Sequence, residues 1–294
     1  MNIQIAEICG LCAGCKNAIG TTIKEIESGH NVTIFKEIVH NKNVNSYLHD
    51  MGADCVENIE ELNNSSTIII RAHGEPPKTY EYLDSNGFRY RDCTCANVTK
   101  IHNQVKEYSE RGFKVIIIGK YIKALHPEVL GTIGWASSEV ILIETMEDIS
   151  KLDKYTKDKF YLVCQTTFNT EKAEKLISAI SDKLNGLNSE IIINKSLCGA
   201  QRAINESSVK LARECDIMIV VGGANSSNSL ELYNNVKKHC PSIFIEDIYS
   251  YRDALQKENL KVSPTTKVGI TAGASTRKEE LLELKELIEK EHNK

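Results

Sequence analysis

Three cysteines are the residues of this chain best suited to chemistry. Each stands between an apolar, strand-like run and a helix-like run: Cys12 in Gly10-Leu11-Cys12-Ala13-Gly14, Cys95 in Asp92-Cys93-Thr94-Cys95, and Cys198 in Ser196-Leu197-Cys198-Gly199. A helix N-terminus favours the thiolate, the form of cysteine that binds a metal. Four thiolates would close a structural zinc site or a conventional cluster, whereas three leave a coordination position open. A cubane [4Fe–4S] cluster on three cysteines would present one iron as a Lewis acid. The three cysteines lie 83 and 103 residues apart, and the intervening segments repeat one order of elements. That repetition favours a shared site over three unrelated core thiols.

Polar strand ends supply the remaining candidates. Asn225-Ser226-Ser227-Asn228-Ser229 contains no apolar residue and opens a helix, so its hydroxyls, amides and backbone N–H groups suit a phosphate. Ala272-Gly273-Ala274-Ser275 offers the same from another strand end, and His40 and His73 stand at matching positions. One such loop would be ordinary helix capping by serine or asparagine. Several together favour a charge-assisted anion site, and a diphosphate suits donors from several loops better than a single carboxylate does. There is no G-x-x-x-x-G-K-[ST] and no G-x-G-x-x-G, so neither ATP nor a dinucleotide is suggested. His126-Pro127-Glu128 brings a carboxylate to a strand end, where it can donate a proton or sit in a surface turn, and Thr166 can orient that proton or a substrate hydroxyl. His30, His49, His102, His239 and His292 read as surface or packing residues.

The elements that must position these groups are short apolar runs alternating with helical patterns, the mark of a parallel α/β protein. The unit is cysteine, helix, strand, polar loop, helix, strand, strand, polar loop, helix, and it occurs three times. We therefore expect three similar α/β subdomains, 1–95, 96–196 and 197–294, with small, mostly parallel sheets in a pseudo-threefold trefoil around a central cavity. Hydrophobic spacing predicts helices over 16–28, 98–111 and 203–213, a strand over 32–39, and only a turn at 247–248.

The 294 residues are 41% apolar and 26% charged with a net charge of −4, which suits a globular protein with a sizeable core and implies no general nucleic-acid surface. No apolar run is long enough for a membrane helix, and the start of the chain lacks the basic and apolar regions of a signal peptide, so a cytosolic protein is expected. In that reducing compartment ten cysteines point to metal or redox chemistry rather than disulfides. Cys9, Cys12 and Cys15 form a C-x-x-C-x-x-C run with ferredoxin-like spacing but no fourth cysteine followed by proline. The repeat selects Cys12 as the ligand. Cys9, Cys15, Cys93 and Cys164 stay open between packing and an auxiliary redox role, while Cys55, Cys215 and Cys240 are expected in the core.

In combination these motifs resemble the LytB/IspH family of 4-hydroxy-3-methylbut-2-enyl diphosphate reductases, the last enzymes of the methylerythritol phosphate route to isoprenoids. The resemblance spans essentially the whole chain, through Gly10–Gly14, Glu37-Ile38-Val39-His40-Asn41, Ala72-His73-Gly74, Thr94-Cys95, His126-Pro127-Glu128-Val129, Gln165-Thr166-Thr167, Asn225–Ser229 and Thr271–Ser275. It implies a three-domain trefoil holding a [4Fe–4S] cluster on Cys12, Cys95 and Cys198, whose open iron binds the substrate hydroxyl. It further implies that His40, His73, His126, Ser226, Ser227, Asn228 and Ser275 hold the diphosphate. Glu128, helped by Thr166, would deliver the proton, and ferredoxin or flavodoxin would supply two electrons. The alternatives are a paralogue reducing a different small molecule at the same open iron and a non-catalytic, redox-sensing cluster protein. Retention of Glu128, Thr166 and the anion-binding residues argues against the sensor. The chain departs from the family at Ala96, at Gly199–Asn205, in the loop before His126, and in having Cys9, Cys15 and Cys93.

Overall fold

The computed structural model describes residues 2–224 and 226–292. Every paired strand described is parallel, as the alternating pattern predicts. The chain divides into two compact units, Met1–Glu57 with Gly199–Lys294, and Asn58–Cys198.

In the first unit a four-stranded sheet runs in the order β1 (Asn2–Ile5), β12 (Lys267–Ala272), β10 (Ile217–Val221), β11 (Ser242–Ile245). All five residues of β10 are buried, the near-continuous apolar run expected of a parallel strand covered on both faces. One face packs Ile219, Val221 and Ile270 against Tyr251 and Leu255 of α9 (Tyr251–Lys257) and Leu281, Leu284 and Ile288 of α10 (Lys278–His292). The other packs Met218 and Val220 against Leu211 of α7 (Gly199–Ala212) and Leu232 and Val236 of α8 (Ser227–Lys237). The same unit holds the pair β2 (Val32–Phe35) and β3 (Ala53–Val56), with α1 (Ala13–Glu27) and α2 (Lys42–Asp50).

In the second unit the sheet order is β7 (Val140–Ile143), β6 (Lys114–Ile118), β8 (Lys159–Cys164), β9 (Glu190–Asn194). Its faces are covered by α6 (Thr170–Gly186), through Ala173, Leu176 and Ile180, and by α4 (Ala96–Glu110) and α5 (Pro127–Gly134), through Ile101, Val105 and Val129. The pair β4 (Thr67–Ile70) and β5 (Tyr90–Asp92) and the helix α3 (Pro77–Ser85) complete it.

Several sequence expectations change. The helices expected from 16, 98 and 203 begin instead at Ala13, Ala96 and Gly199, so each of the three cysteines directly precedes a first helical residue. Their first turns carry small or polar residues and no apolar stripe, so periodicity could not detect them. The strand expected over 32–39 stops at Phe35, where Lys36 takes φ +65°, and Ile38 and Val39 are buried in a loop instead. The turn at 247–248 is a 3₁₀ segment, Ile248–Ser250, that leads into α9. Cys55, expected in the core, is exposed, because β3 buries only its first residue.

Candidate active site

The strand ends of the first unit are laced together by backbone contacts. The N–H groups of Gly10, Leu11 and Cys12 donate to the carbonyls of Ala272 (3.3 Å), Thr276 (2.9 Å) and Ala274 (3.1 Å). Gly10 has φ +74°, and a Cβ there would lie 2.9 Å from the Thr276 carbonyl oxygen, so this crossing requires glycine. The Asn41 carboxamide caps α2 by accepting from Asn43 N–H at 3.0 Å and donates to the Ser275 carbonyl at 3.0 Å. Gly223 packs so closely on His40 that a Cβ would fall 2.5 Å from its carbonyl oxygen. These contacts bring Cys12, His40, Ser275 and the Gly222-Gly223 turn before Ser226 into one neighbourhood.

Two serines organise the anion side of that neighbourhood. Ser226 caps α8, and its Oγ accepts from Ser229 N–H at 3.3 Å and lies 3.0 Å from Ser229 Oγ. Ser229 is fully buried beneath Gly222 and Gly273, where any Cβ would strike its hydroxyl. Ser275 Oγ is buried and has no hydrogen-bond partner among the described residues. A buried hydroxyl without a partner costs about 1–3 kcal/mol, a cost that a bound ligand oxygen removes. Asn228 is half-buried in the first turn of α8. Asn225 and the side chain of Ser227 lie outside the described residues.

The second unit joins its own candidates in a chain of direct contacts. Cys95 N–H donates to the Ala72 carbonyl at 3.0 Å, beside His73. The His73 and His126 rings meet edge to face with centroids 5.5 Å apart. His126 caps α5 through Nδ1, which accepts from Glu128 N–H at 3.2 Å, and Pro127 takes the first helical position, where its missing donor is harmless. Thr166 gripping Glu128 completes the geometry, with its N–H donating to Oε1 at 2.5 Å and its hydroxyl to Oε2 at 2.7 Å. The Thr166 carbonyl in turn accepts from Cys198 N–H at 2.7 Å. Glu128 is only 2% exposed, and burial pushes its carboxyl up from 4.5 to about 7 against the opposing pull of the two Thr166 donors. A carboxyl so placed is half protonated near neutrality, as a proton donor for work at that pH must be.

The cysteines separate by environment. Cys12, Cys95 and Cys198 are half-buried, each immediately ahead of a helix. The neighbouring Cys15 thiol, and then the backbone N–H groups at Gly14 and Cys15, hold the Cys12 thiol down to about 6 although burial opposes it. Cys164 is buried at the end of β8, which pushes its thiol up to about 12, and Cys240 rises to about 11 chiefly through burial. Cys93 is buried as well. Cys9 donates to the Ala6 carbonyl at 3.1 Å and packs against both faces of the first unit's core. Half-burial ahead of a helix thus leaves Cys12, Cys95 and Cys198 accessible from outside the core, whereas Cys93, Cys164 and Cys240 are buried packing residues.

The family model described as LytB protein matches residues 3–289. The chain belongs to the LytB family. Among its curated LytB relatives, 4-hydroxy-3-methylbut-2-enyl diphosphate reductase of Clostridioides difficile (strain 630) is 35% identical over 277 residues, covering 94% of this chain and 95% of that protein. The protein of the same name from Thermoanaerobacter sp. (strain X514) is 34% identical, with 94% of this chain and 92% of that protein covered. A solved structure of (E)-4-hydroxy-3-methyl-but-2-enyl diphosphate reductase, described as the terminal enzyme of the non-mevalonate pathway, matches 99% of this chain and 100% of its own at 30% identity, with a TM-score of 0.74. That of the E-1-hydroxy-2-methyl-but-2-enyl-4-diphosphate reductase from Plasmodium falciparum matches 98% of this chain and 88% of its own at 25% identity, with a TM-score of 0.84.

Asn41 and Ser229 stand in motifs that the sequence singles out, but their supporting roles at this LytB site do not show there. Asn41 and Ser229 act on neighbours through tertiary contacts that no local pattern announces. His102, expected as a surface or packing residue, packs: its ring stacks on Trp135 with centroids 5.4 Å apart and fills the space beside Gly74, whose Cβ would lie 2.6 Å from it. Burial pushes His102 down to about 4, with Asp92 pulling the other way, so it packs as a neutral ring behind the loop that carries His73. The one available signal was the glycine of Ala72-His73-Gly74, which takes φ +72°.

Proposed function

We propose that this chain is an iron–sulfur 4-hydroxy-3-methylbut-2-enyl diphosphate reductase, forming isopentenyl and dimethylallyl diphosphate. The observation that carries the mechanism is the buried Glu128 carboxyl, poised at about 7 and clasped by Thr166, whose own backbone holds Cys198. The relatives named for this reductase match nearly the full length of both partners. Cys12, Cys95 and Cys198 are the ligands we assign to a [4Fe–4S] cluster. When bound, that group would relay electrons and would offer, at an iron without a protein ligand, a Lewis acid for the substrate hydroxyl.

The remaining steps belong to the chain's own side chains. His40, His73, His126, Ser226, Ser227, Asn228 and Ser275 hold the diphosphate, each charge-assisted hydrogen bond being worth about 1.5–3 kcal/mol. Ser275 has the most to gain, since its buried hydroxyl lacks another partner among the described residues. Thr166 fixes both carboxyl oxygens of Glu128 and so sets the direction in which its proton can move. Glu128 gives that proton to the departing hydroxyl as the carbon–oxygen bond breaks. The overall change takes two electrons and two protons and releases water. We assign the electrons to a small reduced protein of the ferredoxin or flavodoxin type.

An anaerobic preparation assayed against the diphosphate and against the same alcohol without its diphosphate tests this reading. Turnover of the first and none of the second is expected, because the anion-binding groups fix the hydroxyl's position. An intact iron–sulfur chromophore with no turnover of the diphosphate would overturn the substrate assignment. A colourless zinc protein would overturn the reductase assignment altogether.

A further inference from the structure

The Cys12-Ala13-Gly14-Cys15 stretch holds a second feature that the reductase reading leaves unused. Cys12 is the residue before α1, with an extended backbone of φ −71° and ψ 168°, and Cys15 is the third residue of that helix. These are the two positions whose side chains turn toward one another at a helix start. Residues three apart there have Cβ atoms about 5–6 Å apart, and a disulfide spans about 3.5–4.5 Å, so the bond forms once the backbone of this first helical turn closes by about 1–2 Å. The Cys15 side chain lies close enough to act on the Cys12 sulfur as a hydrogen-bond donor. Cys9 is committed to the Ala6 carbonyl instead. Both Cys12 and Cys15 are half-buried, and Ala13 between them is exposed, so a small reagent can reach the pair.

We propose that Cys12 and Cys15 form a reversible dithiol–disulfide couple that protects Cys12 whenever it holds no metal. The oxidant is a peroxide. The Cys12 sulfur attacks one peroxide oxygen, the oxygen–oxygen bond breaks, and Cys12 sulfenic acid and water result. The Cys15 sulfur then attacks the Cys12 sulfur, expelling a second water and closing the disulfide. Two thiols have lost two electrons and two protons, and one peroxide has become two waters. A dithiol reductant reverses the change by exchange and restores Cys12 as a ligand. Without Cys15, Cys12 proceeds to the sulfinic acid, which a dithiol does not reverse. The protective role of Cys15 rests on Cys12 being a metal ligand, but the couple itself does not.

The test uses the full-length chain, purified anaerobically, stripped of metal with a chelator, and treated with one equivalent of hydrogen peroxide before peptide mass mapping. The expected product is a Cys12–Cys15 linked peptide lighter by two hydrogens, returned to two thiols by dithiothreitol. Cys15→Ala and Cys15→Ser should instead gain two oxygens on Cys12 under repeated peroxide, with unchanged circular dichroism. Sulfinic acid on Cys12 of the unaltered chain at the rate seen in the variants would overturn the proposal, as would pairing of Cys12 with Cys9. Mapping needs no substrate and no cluster, so failure here is separable from failure of the reductase reading.

Discussion

Replacing Glu128 by glutamine separates its chemical role from its structural cost. The side chain is fully buried, and its carboxyl stands at about 7 against 4.5 for an exposed glutamate. That rise corresponds to about 3 kcal/mol of stability lost when the buried group ionises. Because the folded state holds the proton more tightly, the stability is fully present below pH 4.5, declines as pH rises, and is gone once pH passes 7. Glutamine never ionises, and its geometry keeps both contacts: Oε1 still accepts from Thr166 N–H, and Nε2 can donate to the Thr166 hydroxyl. Urea unfolding at pH 5 and pH 8 should therefore show Glu128→Gln gaining about 2.5 kcal/mol on the unaltered protein between the two conditions, because a small part of the loss has already occurred at pH 5. Turnover should fall about 10²–10⁴-fold, the worth of a positioned proton donor. In the unaltered enzyme, kcat should decline above pH 7 as the proton is lost. A flat kcat profile from pH 6 to 9, together with a variant retaining most of its activity, would refute the assignment of Glu128 as the acid.

Other changes probe the positioning contacts. Ser275→Ala should leave the substrate-free protein as stable or about 1 kcal/mol more so, because it removes an unpartnered buried hydroxyl, while raising KM for the diphosphate; thermal melts and steady-state kinetics read the two effects. Gly10→Ala should cost about 1–2 kcal/mol from its left-handed backbone alone, and more as the Thr276 carbonyl is displaced, measured by urea unfolding together with lower iron content. Gly223→Ala should raise KM more than it lowers kcat, since the new methyl pushes on the His40 carbonyl rather than on Glu128. Cys95→Ser and Cys198→Ser should each lower iron and sulfide content, whereas Cys164→Ala, which alters a buried packing thiol, should keep both.

Apolar runs were the most legible part of this chain. Ile217–Val221 reads as a strand and is one, parallel and covered on both faces. Candidates expected at strand ends do come together: Cys95, His73, His126, Glu128, Thr166 and Cys198 fall into one connected series in the second unit. Helix starts were not legible, because Ala13-Gly14, Ala96-Asn97 and Gly199-Ala200 lie outside any apolar stripe. The helix Tyr251–Lys257 was missed because two turns around Tyr251 and Leu255 carry too short a pattern. The supporting contacts of Asn41 and Ser229 were invisible for a different reason. Their partners, Ser275 and Ser226 with the glycines at 222 and 273, are chosen by tertiary folding rather than by neighbouring residues. No helix among the described residues is long and apolar enough to cross a membrane.

The most direct measurement is the stoichiometry and product of a single anaerobic reaction. Chain purified without air is mixed with a known amount of 4-hydroxy-3-methylbut-2-enyl diphosphate and an excess of reduced viologen, and the viologen absorbance is followed to its end point. The account predicts two viologen electrons consumed per substrate, with isopentenyl and dimethylallyl diphosphate as the only isoprenoid products. Viologen left unoxidised by a preparation whose iron and sulfide are intact, or a product that keeps the hydroxyl, would contradict it.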